Sequence, residues 1–402
     1  MAASEPQTPP PDIHQTYRAG DITPFPTGKR TFLSPLPLPT KTAPLDFNHV
    51  IGELNDTYLD IGGGLPTAFT WQLTLGGPFT SFLIMALIFP LFSATLTSGE
   101  GYSFSSEFMA FFEVGFEQGS WAGGLTLALA LIIKCHHHLK ARSALPTRFN
   151  RQRREVYFVP EDGKTPIVVP WESVAAWITQ AQGVTQYGVQ RQYGLGIGFY
   201  DPATQQPHHL EMPMPGLPLA LGLWEAIRGY MEYEVNSLQE IQDPHGLQRP
   251  GDPPHEGVHT FYNARDRLHR RYRDNEIGLF RVTMWYLWHI LDLWTIPHHV
   301  TEWEIRALQK AGRKALPEAM QAWSQPLPES EWAQPSEELK RLSAQVDALY
   351  QRRPPGDITA IFAEVYEKEK ANGVRGPGGV YETRGDSEVY FPQPLTQAAR
   401  RR

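Results

Sequence analysis

The chain has 402 residues, a formal net charge of −7 and a mean hydropathy of −0.37. That hydropathy excludes a polytopic transporter, and the mild charge excludes nucleic acid as the partner that composition would dictate. The single cysteine, Cys135, excludes an internal disulfide and any cysteine-based zinc spacing.

The 34 glycines and 36 prolines concentrate towards the two ends of the chain, which predicts an ordered middle between loose ends. Met1 to Asp12 is polar and acidic, with no basic and apolar segments of a signal peptide. Residues 1–70 are expected to form a cytoplasmic arm, partly disordered. No charged residue occurs from Ile61 to Gly99, and Pro78 to Leu96 (PFTSFLIMALIFPLFSATL) is the richest apolar stretch. About 20 such residues cross a hydrocarbon core of roughly 30 Å, and only a helix can do so there. Pro90 is expected to kink that helix. A second span is expected around Trp121 to Ile133 (WAGGLTLALALII), extended at both ends, with Lys134 snorkelling to the interface. The hairpin is thus placed at 71–140, with spans at about 76–97 and 118–139. Phe79, Leu96, Trp121 and Ile133 mark their ends. The acidic, aromatic segment Phe104 to Phe116 is expected to extend the second helix beyond the bilayer. Gly123 and Gly124 offer a small surface for helix approach.

Lys134, Lys140, Arg142, Arg148, Arg151, Arg153 and Arg154 follow the second span, with no acid before Glu155. By the positive-inside rule both termini are cytoplasmic, which in a bacterium means a multi-pass protein of the inner membrane. Lys140, Arg142, Arg148, Arg151, Arg153 and Arg154 are also the candidates for contact with lipid headgroups or a partner.

The next segment reads as β structure. Arg153 to Pro160 and Thr165 to Trp171 form a hairpin around the turn Glu161–Lys164. Ser173 to Gln180, Gly188 to Tyr200 and His208 to Met212 continue it. Leu219, Leu223, Ala226, Ile227 and Tyr230 then recur at helical spacing. A small bent sheet or barrel capped by one helix is expected over 148–236.

Two stretches carry a resemblance. Thr147 to Tyr157 (TRFNRQRREVY) and Val169 to Val174 (VPWESV) resemble the opening strands of bacterial pleckstrin-homology-like (PH-like) domains. In these a membrane hairpin precedes an R-x-R-x-x-V strand and a W-x-x-V strand. Leu223 to Glu232 resembles the capping helix. The arrangement over Pro78 to Glu234 is similar to an uncharacterised family of two-span bacterial membrane proteins, a domain of unknown function. Many of these are encoded near type VI secretion and Rhs-type toxin genes. The resemblance implies a PH-like cytoplasmic domain, a secreted toxin or secretion component as partner, and an immunity or accessory role. It implies no catalytic site. The fold class expected is therefore a membrane α-helical hairpin, a small α+β domain with a PH-like bent sheet and capping helix, and a C-terminal helical region at 257–372.

Asp243 to Glu256 reads as a linker. Arg265, Arg267, Arg270, Arg271 and Arg273 then stand among acids. Ile277 to Pro297 is the most aromatic stretch. Arg281, His289 and Asp292 argue for a helix on the protein or the membrane surface rather than a third span, since a central charge costs about 2.5–3.5 kcal/mol. Residues 373–402 are expected as a flexible tail.

Candidate chemistry is thin. Consecutive helical residues point about 100° apart, so His136, His137 and His138 read as a polar cuff rather than a metal site. His298 and Glu302, four apart, make half a metal site with no second cluster. Gly194 to Gly198 lacks the helix and lysine of a phosphate loop and reads as glycines in a bent strand. No metal or cofactor is expected. The leading expectation is a non-enzymatic membrane protein whose cytoplasmic domain binds a protein. The alternatives are a membrane-tethered enzyme with a His/Glu site and a lipid-headgroup-binding module.

Overall fold

The computed structural model describes residues 17–62, 65–99, 101, 103–143, 145–160, 166–185, 188–201, 204, 206–242, 246–352 and 358–371. Among the described residues, ten strands build two antiparallel sheets. Before the apolar hairpin come β1 (Ile22–Phe25), β2 (Gly28–Ser34), β3 (Ile51–Leu54) and β4 (Tyr58–Ile61). After it come β5 (Thr147–Asn150), β6 (Glu155–Phe158), β7 (Ile167–Pro170), β8 (Ala175–Thr185), β9 (Gly188–Asp201) and β10 (Gln206–Met214). One sheet has the order β1-β2-β8-β9-β10 and the other β3-β4-β5-β6-β7. Each is therefore completed from both sides of the hairpin. Phe32 lies opposite Trp177, and Ile61 opposite Thr147. The arm expected at 1–70 is corrected here. From Ile22 onward it supplies four strands, paired β1–β2 and β3–β4, whose short apolar runs (TFLS, YLDI) are built into sheets by β8 and β5 of the later chain.

The expected strands from Glu155 to Met214 form, and so does the helix after them. The turn at Glu161–Lys164 and the tail at 373–402 lie outside the described residues. Gly196 sits in β9 against the Trp177 indole, where a Cβ would come within 2.2 Å of Cε2. Close approach, not phosphate binding, accounts for that glycine-rich segment.

Two further helices make the hairpin: α1 (Ala68–Thr97) and α2 (Phe104–Ser143). Both are long and apolar enough to cross a membrane, and only 17% and 11% of their most apolar windows are buried. A core helix of a water-soluble protein would be covered. Within α1, π turns at Gln72–Gly76 and Ile84–Ile88 come just before Pro78 and Pro90. Proline cannot donate to the carbonyl four residues back, and the wider turn accommodates that loss.

The two helices pair along most of their length. Phe82 packs edge-on against Phe116 (5.5 Å) and Phe89 against Phe111 (6.5 Å). Thr97 Oγ1 donates to Glu107 Oε2 at 3.1 Å. Gly115, Gly119 and Gly123 form the seam: a Cβ on Gly115 would lie 2.3 Å from the Met85 carbonyl oxygen, and one on Gly123 3.2 Å from the Pro78 oxygen. Gly124 faces away with open space around it. Phe104 to Phe116 thus lies beside the richest part of α1, not beyond it. Spans at 76–97 and 118–139 are out of register with each other, and the same depth is shared by roughly 78–96 and the first half of α2. Glu113 and Glu117 lie exposed on the face of α2 opposite the glycines.

Helix α3 (Leu217–Met231) starts at Gly216 with Pro218 in its first turn and packs on β8, β9 and β10. Its Trp224 meets Trp171 at 5.5 Å, Trp171 meets Phe149, and Phe158 stacks on Phe199 at 4.5 Å. Each buried aromatic side chain contributes roughly 1.5–3 kcal/mol. The remaining helices are α4 (Leu238–Gln242), α5 (Val258–Arg273), α6 (Leu279–Leu291), α7 (Ile296–Ala315), α8 (Glu318–Trp323), α9 (Glu337–Arg352) and α10 (Ile358–Ala371). Leu342, Val346, Phe362 and Val365 of α9 and α10 close a second core over Ala19 and Leu38. The aromatic stretch at 277–297 is divided between α6, whose 13 residues are too short to span, a turn and the start of α7.

Candidate functional site: the base of the hairpin

Helix α7 fastens both helices of the hairpin at their lower ends. Its Glu304, 5% exposed, accepts a hydrogen bond from Trp71 Nε1 at 2.7 Å. Lys134 Nζ stands 3.5 Å from the same carboxylate and 4.7 Å above the Trp71 ring. His138 Nδ1 lies 3.4 Å from Glu304 Oε1, and its ring stacks near Trp303. One carboxylate therefore ties α1, α2 and α7 together. His136 and His137 point outward, as helical geometry requires for neighbours of an inward His138. The first turn of α1 is capped by Glu256, whose carboxylate accepts from the Ala68 N–H at 2.6 Å. A negative group there also meets the positive end of the helix dipole.

The arginines expected to meet headgroups are engaged elsewhere. Arg148 is 2% exposed. Its Nε and Nη2 donate to the two Asp60 oxygens at 2.6 and 2.7 Å, and Nη1 donates to Ser324 Oγ at 2.7 Å. The guanidinium also lies 3.6 Å from the Tyr58 ring centre. Burial pulls its pKa down, but the Asp60 carboxylate outweighs that and holds it above the ordinary value. Arg151 bonds Asp56 and Asn236 between the rings of Tyr230 and Tyr233. Arg154 pairs with Glu232 at 2.9 Å and Glu172 at 3.1 Å. Arg153 Nε donates to the Trp323 carbonyl at 2.9 Å. These four hold the β3-β4-β5-β6-β7 sheet to the end of α3, to α8 and to the loops, and three of them are buried. The side chains of Lys140 and Arg142 lie outside the described residues. The cause of the correction is the β4–β5 pairing, which sets Asp60 directly opposite Arg148.

The His298–Glu302 pair does not assemble either. His298 is buried against the Phe261 ring at 5.4 Å, and burial pushes its imidazole down to about 4. Glu302 instead accepts from the Val258 N–H at 2.8 Å, capping α5, and pairs with Arg306. Among the described residues no group of three or more His, Cys, Asp or Glu is placed to hold a metal ion.

Of the membrane markers, Leu96, Trp121 and Ile133 are exposed and Phe79 half-exposed along the hairpin. Sequence reasoning missed Glu304 and Trp71, which no local pattern links. It also missed Gly115 and Gly119, although their spacing of four with Gly123 was readable. Comparisons with protein-family models, curated proteins and solved structures find no match to this chain.

Proposed function

We propose that this chain is a non-enzymatic membrane protein that holds a protein-binding domain against the cytoplasmic face of a bilayer. The α1–α2 hairpin crosses the membrane twice, and both termini lie in the cytoplasm. The two-sheet domain with its α3 cap, which we read as PH-like, takes the partner. The observation that carries this reading is the insertion of the hairpin between β4 and β5, which are hydrogen-bonded neighbours. Both feet of the hairpin leave the domain at one place, so both lie on one side of the bilayer. The basic residues following α2 favour the cytoplasm as that side. The sheet core and the Arg148, Arg151 and Arg154 networks make the domain rigid, as a docking platform requires.

The partner proposed is a type VI or Rhs-type toxin or a secretion component, and the role is immunity or accessory. The test is coexpression of the tagged chain with the toxin encoded beside its gene. Rescue of growth and copurification in detergent support the role. A chain that neither protects nor copurifies is not an immunity or accessory factor for that toxin.

A further inference from the structure

Helix α6 presents an uncovered apolar face. Leu279, Phe280, Met284, Leu287, Trp288 and Ile290 are 44–77% exposed. Trp285 and His289 point the other way, onto Phe261 of α5. The exposed positions from Leu279 to Leu291 are apolar except Arg281 and Thr283. Such a face in water is a liability, so something covers it.

Its place in the fold says what. The C-terminal end of α6 abuts α1 at Gly76, where a Cβ would lie 3.0 Å from Asp292 Oδ1 and 3.3 Å from the Leu291 oxygen. Gly76 stands five residues past Trp71, about 7–8 Å further along the hairpin at 1.5 Å per residue. Trp71 belongs to the polar girdle with Lys134, His138 and Glu304. The end of α6 therefore sits just inside that girdle, within the roughly 5–10 Å to which interfacial helices sink their apolar faces. No extended packing joins α6 to α1, so α6 leaves the hairpin rather than running along it.

Charge completes the pattern. Helix α5 ends in Arg270, Arg271 and Arg273, beside a groove of about 410 Å³ lined by Arg249, Arg267, Arg270 and Arg271 together with Asp274 and Glu276. An adjoining groove of about 600 Å³ adds His269 and Arg273. Arg271 is paired with Glu276, while Arg270 and Arg273 are exposed and have no carboxylate partner among the described residues.

We infer that α5 and α6 form a second membrane contact, in which α6 lies in the headgroup–acyl boundary and Arg270 and Arg273 bind the phosphates of anionic phospholipid. This inference rests on the membrane placement proposed above. The headgroup site moves from the buried arginines of β5 and its turn to the end of α5.

The full chain carrying Cys135→Ser tests it in lipid nanodiscs. An environment-sensitive fluorophore is attached at Phe280→Cys, Trp288→Cys, Leu96→Cys or Ser173→Cys, and quenching by brominated acyl chains is read. Quenching at 280 and 288 at least threefold above that at 173 is expected. It should grow when phosphatidylglycerol replaces a third of the phosphatidylcholine, and Arg270→Gln with Arg273→Gln should remove that growth. Quenching at 96 but not at 280 or 288 overturns the inference and leaves the hairpin reading standing. No quenching at 96 overturns the hairpin reading itself. Quenching at 280 that ignores both lipid charge and the arginine changes overturns the phosphate contact.

Discussion

Ile61 and Thr147 face each other across the β4–β5 ladder, although the whole apolar hairpin lies between them in the chain. Paired strand residues have Cα atoms about 5 Å apart. The domain thus pins the start and the end of the hairpin together. Single cysteines in a Cys135→Ser background check the resulting topology. Ser103→Cys, at the hairpin tip, should react with a membrane-impermeant maleimide in intact spheroplasts. Ser173→Cys should react only after lysis. Labelling of both from outside contradicts the topology.

The glycine seam gives a paired prediction. Gly115→Ala places a methyl against the Met85 carbonyl and should cost about 1–3 kcal/mol by overpacking. Gly124→Ala meets open space and should stay within about 0.5 kcal/mol of the parent. Thermal unfolding in detergent compares them, and equal effects would place the seam elsewhere.

Arg148 is a structural residue in this fold. Arg148→Ala leaves Asp60 buried without its cation and should lower stability by about 3–5 kcal/mol. Adding Asp60→Asn should recover part of that loss, since the stranded charge is gone. A single-variant loss below about 1 kcal/mol would argue that Arg148 reaches solvent.

His298 should make stability fall in acid. Its folded-state pKa, about 4, lies below the ordinary 6.5, because burial opposes the charge and His289 and His299 stand near. The unfolded chain therefore binds the proton first. The contribution is full above about pH 6.5, declines as pH drops towards 4 and is lost below it. The size is about 3 kcal/mol at most. His298→Leu should flatten the curve of melting temperature against pH over that interval, and an unchanged slope would assign the acid sensitivity to other groups.

The strands from Glu155 to Met214 and the helix after them were legible because alternation, turn residues and helical spacing are local signals. The first four strands were not. Gly28 to Ser34 and Tyr58 to Ile61 are short, lie among prolines and glycines, and join a full sheet only through β8 and β5. Hydropathy located the hairpin but not its register, since Phe104 to Phe116 carries Glu107, which is bonded to Thr97, and Glu113, which faces away from α1. The arginines after α2 misled for the same reason of distance. Nothing near Arg148 in the sequence announces Asp60, and nothing near Lys134 announces Glu304.

The sheet orders also fix a sequence of events at the ribosome. Strands β1 to β4 are synthesised first but cannot complete either sheet until β5 and β8 emerge, and in the topology proposed above the hairpin leaves the ribosome for the bilayer before they do. On that topology, domain closure follows insertion. A chain whose hairpin fails to insert should leave the β1–β2 and β3–β4 pairs with open edges at β2 and β4, as a substrate for chaperones and proteases rather than a misplaced but folded protein.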